Sequence, residues 1–423
     1  MAPAADDDSW SFKAARAVLA TALFTYPATM LTIPVVPGVA IAVLLIGSLA
    51  LLPFSLGRRA ELAAPADYVP VLGLALLFIV GTASAVAWHA PKWELISYFR
   101  LFGALALVGA IRLLRPPEWV LYAGCSVGAI GAGAIALVQC FGDGVERASG
   151  HDLYFGWQLA TIFGLLSIVL GTLPLFAEVR DWPPLVRWLR VAGAIGGIAA
   201  CLLSGSRGAW LAGAVLMLWR VARVHRYAAL AFVVAILLAW AAMPYPAQRW
   251  QTAFGELMSY EQGHASTAIG LRLDMWDAAI GAFVQHPWFG VGLNGFDGVL
   301  KERSAAGLAT PWITHFWHAH NDLLNALATG GIVSAIALVA ALWLPWRYFR
   351  RADLRERGPA LSGSALIVAF VLFGLSDSLF AHRVSLTAYA LLVASFLGFT
   401  GLPDAAARST APTASGPRDQ PGP

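Results

Sequence analysis

Twelve apolar runs, most of them near twenty residues long, leave this chain little choice of fold. They lie at 17–34, 37–56, 68–88, 94–113, 118–141, 154–176, 187–204, 208–222, 227–244, 320–344, 360–380 and 386–402. A helix rises about 1.5 Å per residue and the bilayer hydrocarbon is about 30 Å thick, so each run has the length of a span. A soluble domain carries about 25% charged residues. Here the figure is 12%, too little to cover a soluble surface. The sequence therefore predicts an all-α, polytopic integral membrane protein of about twelve transmembrane helices. Its 17 Trp suit bilayer interfaces.

Lys and Arg gather at alternate ends of the runs, as at Arg220 and Arg223 and at Arg347, Arg350 and Arg351. The positive-inside rule then places both termini in the cytoplasm. One interval breaks the rhythm. Residues 246–319 hold no apolar run of span length and fall on the outer side, the periplasm in a cell that has one. The chain divides into nine helices over 1–245, this loop, three helices over 320–402, and a tail at 403–423 whose Ala, Pro, Ser and Thr content predicts disorder. No signal-peptide cleavage pattern, nucleotide loop or soluble domain is visible. The glycines at 128–133 and 193–197 lie inside spans, where small residues let helices approach. Cys125, Cys140 and Cys201 show no metal or disulfide spacing and read as small buried residues.

Within the loop, Leu273, Trp276, Ile280, Phe283 and Val284 recur at helical spacing. They predict an amphipathic helix over 271–285, stopped by His286-Pro287. Gly290, Gly292, Gly295 and Gly298 predict a flexible, turn-rich stretch, and a second short helix follows at about 295–305.

Charges at the outer ends of spans are the candidates for chemistry, because a charge near hydrocarbon needs a partner or a role. Arg207 sits in a tight turn between two apolar runs, beside Ser and Gly whose amides can approach an anion. It equally fits a snorkelling arginine. Arg272 opens the loop helix, the wrong end of the dipole for a cation, which suggests an anionic ligand or a pair with Asp274 or Glu256. His318 and His320 precede the tenth run. An imidazole can accept a proton near neutral pH, as a hydroxyl-activating base must. A metal would need a third ligand from His286, His315 or Asp322. Arg383 adds charge to the same mouth or pairs with Asp377. Lys92, Glu94 and Arg100 mark the start of the fourth run, as ion-paired or snorkelling groups. The nearest acids are Asp274, Asp277 and Asp322. Arg207, Arg272 and Arg383 with a histidine pair suit a lipid that carries phosphates. A cation pump would need carboxylates inside the spans, and Asp377 is the exception there.

Four segments occur in one order: Ser204-Gly205-Ser206-Arg207-Gly208-Ala209, Arg272 with Trp276, the run from His286-Pro287-Trp288-Phe289-Gly290 to Gly295-Phe296, and His318-Ala319-His320-Asn321-Asp322-Leu323-Leu324. Together with the large loop they resemble the O-antigen ligase and polymerase superfamily, most closely over about 200–330. Where its ligases continue into a Gly-x-x-Gly pair, this chain has Gly330-Gly331-Ile332-Val333-Ser334. The resemblance implies transfer of O-antigen from undecaprenyl pyrophosphate to lipid A–core at the periplasmic face of the inner membrane. It implies inversion at the anomeric carbon and no metal, nucleotide or other cofactor. Its arginines fall on Arg207 and Arg272 and its base on His320, with His318 and Arg383 beside them as substrate-binding residues. A polymerase or protein O-oligosaccharyltransferase of the same superfamily, or a lipid-linked glycan flippase, are the alternatives. No nucleic acid partner is expected.

Overall fold

The computed structural model describes residues 9–58, 68–150, 159–177, 179, 182–225, 227–231, 233–234, 252, 255–256, 258, 266–352 and 358–400. Among them there is no strand. Eleven of the twelve apolar runs appear as helices. They are α1 (Trp10–Thr29), α2 (Val36–Gly57), α3 (Tyr68–Ala87), α4 (Lys92–Leu114), α5 (Trp119–Leu137), α6 (Ala160–Phe176), α7 (Pro184–Leu203) and α8 (Arg207–Val224), then α11 (Asp322–Ala352), α12 (Pro359–Gly374) and α13 (Arg383–Phe399). The run at 227–244, from 235 onward, and the tail lie outside the described residues. Between these groups stand α9 (Ala268–Gln285) and α10 (Phe296–Ala305), the two loop helices that the sequence predicts.

By length and composition six described helices can cross a membrane: α2, α3, α4, α5 with its π turn at Val138–Gly142, α7 and α11. Three more, α6, α12 and α13, are apolar but shorter. Large side chains such as Ile46, Trp188 and Ile195 stand exposed on helix surfaces, which only a lipid surround makes favourable. This is a multi-pass membrane protein.

The core is built by close approach of small residues. α7 packs on α5 and α6, and α3 on α11. At the α5–α7 crossing a Cβ on Gly133 would stand 2.7 Å from the Gly196 Cα, so a side chain at either position would push the helices apart. α4 and α13 run in the same direction. Arg100 donates to Thr387 Oγ1 at 2.9 Å near one end, and buried Arg112 to the Leu397 carbonyl at 3.0 Å near the other. Arg100 therefore ties two helices together.

One helix is broken. Inside α11, Gly331 adopts φ 63°, ψ −160°, a conformation open only to glycine. The break leaves backbone groups that hydrocarbon cannot satisfy. The stretch after α9 supplies their partners. Val291 N–H donates to the Ala328 carbonyl and Gly292 N–H to that of Thr329, both at 2.9 Å, and Ile332 N–H donates to the Pro287 carbonyl at 2.8 Å. The glycine-rich stretch expected to be flexible is thus pinned as a backbone plug in the broken helix. The plug fixes α9 against α11 and so positions the site.

Candidate active site

The ends of several helices converge on one turn, residues 375–382, between α12 and α13. Its local sequence builds it. Ser376 and Asp377 N–H close onto the Phe373 carbonyl at 2.8 and 3.1 Å, and Asp377 Oδ1 accepts from Ser378 N–H at 2.9 Å. The start of α11 is bolted to this turn. Asn321 caps the helix, its Oδ1 accepting from Leu324 N–H at 3.0 Å, while its amide donates to the Leu375 carbonyl at 3.2 Å. Asp322 Oδ1 accepts from Phe380 N–H at 2.9 Å. The residues that follow His320 in the sequence motif are therefore the fasteners that hold it.

His320 itself sits at φ 49°, a strained position for a side-chain-bearing residue and one typical of functional sites. That turn aims its ring at Asp377, and Nδ1 lies 3.0 Å from Asp377 Oδ1. A carboxylate accepts only, so Nδ1 carries the proton of this bond and Nε2 is the ring nitrogen turned away from Asp377. The His320 side chain is 17% exposed and the Asp377 side chain 2%. An imidazole held by a buried acid is an arrangement that catalytic dyads use. Burial alone would raise the Asp377 carboxyl. The hydrogen bond from His320 chiefly holds it below the usual carboxylate range instead.

His318 is buried beneath His320, their ring centroids 4.2 Å apart. Its Nδ1 accepts from His320 N–H at 3.3 Å. Burial, with His382 and His320 beside it, pushes its pKa down to about 2, so it is neutral. His382 stacks edge-on against His318 at 4.8 Å and against Trp317 at 5.2 Å. Burial likewise lowers its pKa, against the pull of Asp377.

Arg207 is the first residue of α8, after Ser206, whose hydroxyl accepts from Ala209 N–H. Gly208 lets this turn approach closely; a Cβ there would stand 2.3 Å from Ser376 Oγ. Arg207 Nη2 lies 3.9 Å from Glu256 Oε2, and the same oxygen accepts from Ile269 N–H at 3.0 Å in the first turn of α9. Arg272 lies one turn further on. Because α9 starts at Ala268, the dipole misfit expected of Arg272 is reduced. Burial lowers its pKa and Arg207 adds to that, while Asp377 and Glu256 oppose it. Arg207, Arg272, Glu256, Asp377 and His320 thus share one electrostatic neighbourhood.

Other expected candidates serve structure. Asp274 Oδ2 accepts from Thr310 N–H at 3.0 Å, and Asp277 pairs with Arg303. His286 and His315 are exposed and lie outside the cluster. Arg383 opens α13 and lines a cleft with Glu94. Asp377 was legible only as a carboxylate within an apolar run and as a possible partner of Arg383. His382 carried no spacing signal at all.

Donor atoms of His318, Asp377 and His382 lie within 4.8 Å of one another, a set that a divalent ion such as zinc could use. Two details oppose it. Zinc bonds of about 2.0–2.2 Å require a tighter set. Arg272 also places positive charge near the single carboxylate.

Residues 192–339 match the family model described as O-antigen ligase. The match takes in Arg207, Arg272, His318 and His320 and stops before Asp377, His382 and Arg383. The chain is 25% identical over 267 residues to an uncharacterized protein of Haemophilus influenzae, covering 59% of this chain and 66% of the relative's length. Over residues 192–339, then, the chain carries an O-antigen ligase family domain, of the superfamily that its motifs resemble.

Proposed function

We propose that this protein transfers an O-antigen glycan from undecaprenyl pyrophosphate to the lipid A–core oligosaccharide, at the periplasmic face of the bacterial inner membrane. The observation that carries the reading is the 3.0 Å contact of His320 Nδ1 with buried Asp377, beside Arg272 and Arg207. His320 Nε2 takes the proton of the acceptor hydroxyl as its oxygen attacks the anomeric carbon. The bond from that carbon to the pyrophosphate oxygen breaks on the opposite face, so the configuration inverts. Arg207 and Arg272 neutralise the leaving pyrophosphate, whose charge is the main barrier to departure. General-base help of this kind contributes roughly 10²–10⁴-fold. His318 holds His320 in place, and Arg383 lies toward the acceptor. The donor lipid enters sideways between helices, its head beside Arg207.

The proposed topology has twelve spans, nine before and three after a periplasmic loop at 246–319, with both termini cytoplasmic. The charge of Arg272 near Asp377 favours a reaction without a metal. Reconstitution of the purified protein with lipid-linked glycan and lipid A–core, in chelator and without nucleotide, tests the reading. Glycan on the core is the expected product. Growth on the donor lipid makes the protein a polymerase, product on a protein acceptor an oligosaccharyltransferase. Donor crossing the bilayer without transfer would leave it a flippase.

A further inference from the structure

The turn at 375–382 has two sides. On one, Gly208 brings the Arg207 end of α8 against Ser376. On the other, Phe380 and Arg383 form the wall of an open cleft between α3, α4, α11 and α13. Its walls are mainly apolar, Leu77, Val80 and Leu338 among them, with Glu94, Asp322 and Arg383 as the charged points and Trp317 on one wall. Trp317, 41% exposed, touches both His318 (ring centroids 4.7 Å apart) and His382, so the cleft reaches the histidine cluster.

The two sides differ in chemistry. The Arg207 and Arg272 side is cationic. The cleft sets a few polar groups, the acids Glu94 and Asp322 among them, in an apolar wall, and Arg383 acts on Glu94 across it. Glu94 Oε2 is a buried oxygen with no hydrogen-bond partner among the described residues. A buried acceptor left open calls for a donor from a ligand. A buried carboxyl group takes hydrogen bonds from a neutral partner more readily than it tolerates a phosphate, so the ligand that suits it is neutral and carries hydroxyls. An indole face beside such acceptors is a stacking surface for a sugar ring.

Resting on the proposed transfer, we infer that this cleft binds the terminal sugar of the acceptor glycan, with Glu94 accepting from a sugar hydroxyl and Trp317 packing on the ring. Donor pyrophosphate and acceptor sugar then meet one turn at different residues, Ser376 and Phe380. Glu94 is a specificity residue and takes no part in bond making.

The test measures initial rates of transfer with donor and lipid A–core varied in turn, for wild type, Glu94→Gln and Ala326→Leu, which narrows the cleft. The acceptor KM should rise about tenfold, the loss of one buried hydrogen bond. The donor KM and kcat should stay within about twofold. A raised donor KM, or no change in either constant, would overturn the assignment. If wild type transfers nothing to lipid A–core, the proposed function itself fails. Equilibrium binding of lipid A–core to wild type and Glu94→Gln then tests the cleft separately, and equal affinity overturns it.

Discussion

At the residue scale, one hydrogen bond distinguishes His320 from the other imidazoles around it. His320→Ala should lower the transfer rate roughly 10²–10⁴-fold while donor binding persists, as seen by titration with the lipid-linked glycan. Asp377→Asn should cost at least about a hundredfold in kcat with little change in KM, because an amide can hold the ring in the wrong tautomer. Arg207→Lys should fail in steady-state assays, since a point charge does not replace a planar, two-pronged phosphate contact. Acid should loosen the cluster. His318 titrates near 6.5 when unfolded and at about 2 when folded, so below pH 6.5 the unfolded chain takes up a proton that the folded site refuses. Asp377, depressed in the fold, adds stability above its unfolded value that is lost as pH falls further. Both effects have one sign. The melting temperature in detergent should fall between pH 7.5 and pH 5, and His318→Phe should flatten that dependence. Sequence reasoning reached the arginines and His320 because a cation or imidazole at the end of an apolar run stands out. Asp377 and His382 escaped because their partner lies 57 residues away, in the case of Asp377, and contact across that separation leaves no spacing pattern.

At the element scale, the broken α11 organises the site. Its first half carries the fasteners of His320, and its break receives the backbone after α9. A Cβ at Gly331 would stand 2.3 Å from the Trp288 carbonyl carbon, and one at Gly290 2.4 Å from that of Thr329. Both residues also have positive φ. Gly331→Ala and Gly290→Ala should therefore each cost at least about 1–3 kcal/mol, read as a lowered melting temperature and lost monodisperse yield. Retention of wild-type stability by either would mean that the plug is not fixed as described. Helical spacing made α9 and α10 legible to within a few residues. The plug was not legible, because glycine at positive φ signals a turn equally well whether the turn is free or clamped between carbonyls of another helix.

At the scale of the whole molecule, hydropathy located the described helices. Runs of about twenty apolar residues become helices because no other structure satisfies their backbone in lipid. The proposed topology has its own check. In a background where Cys125, Cys140 and Cys201 are replaced, a cysteine at exposed Leu308 should react with a membrane-impermeant maleimide from outside intact spheroplasts, and one at Arg351 should not. The reverse pattern would turn the site toward the cytoplasm. What hydropathy could not give is which helix ends meet. Arg207, Arg272, His320 and Asp377 come from four separate segments, and the fold alone brings them together. The central claim is that His320, oriented by Asp377, activates an acceptor hydroxyl against a lipid pyrophosphate. Its most direct test is the single-turnover rate of glycan transfer by the reconstituted protein in chelator, with wild type, His320→Ala and Asp377→Asn compared at saturating donor and acceptor. The account predicts transfer by wild type and losses of about a hundredfold or more in both variants. Undiminished transfer by His320→Ala, or activity that chelator abolishes and zinc restores, would contradict it.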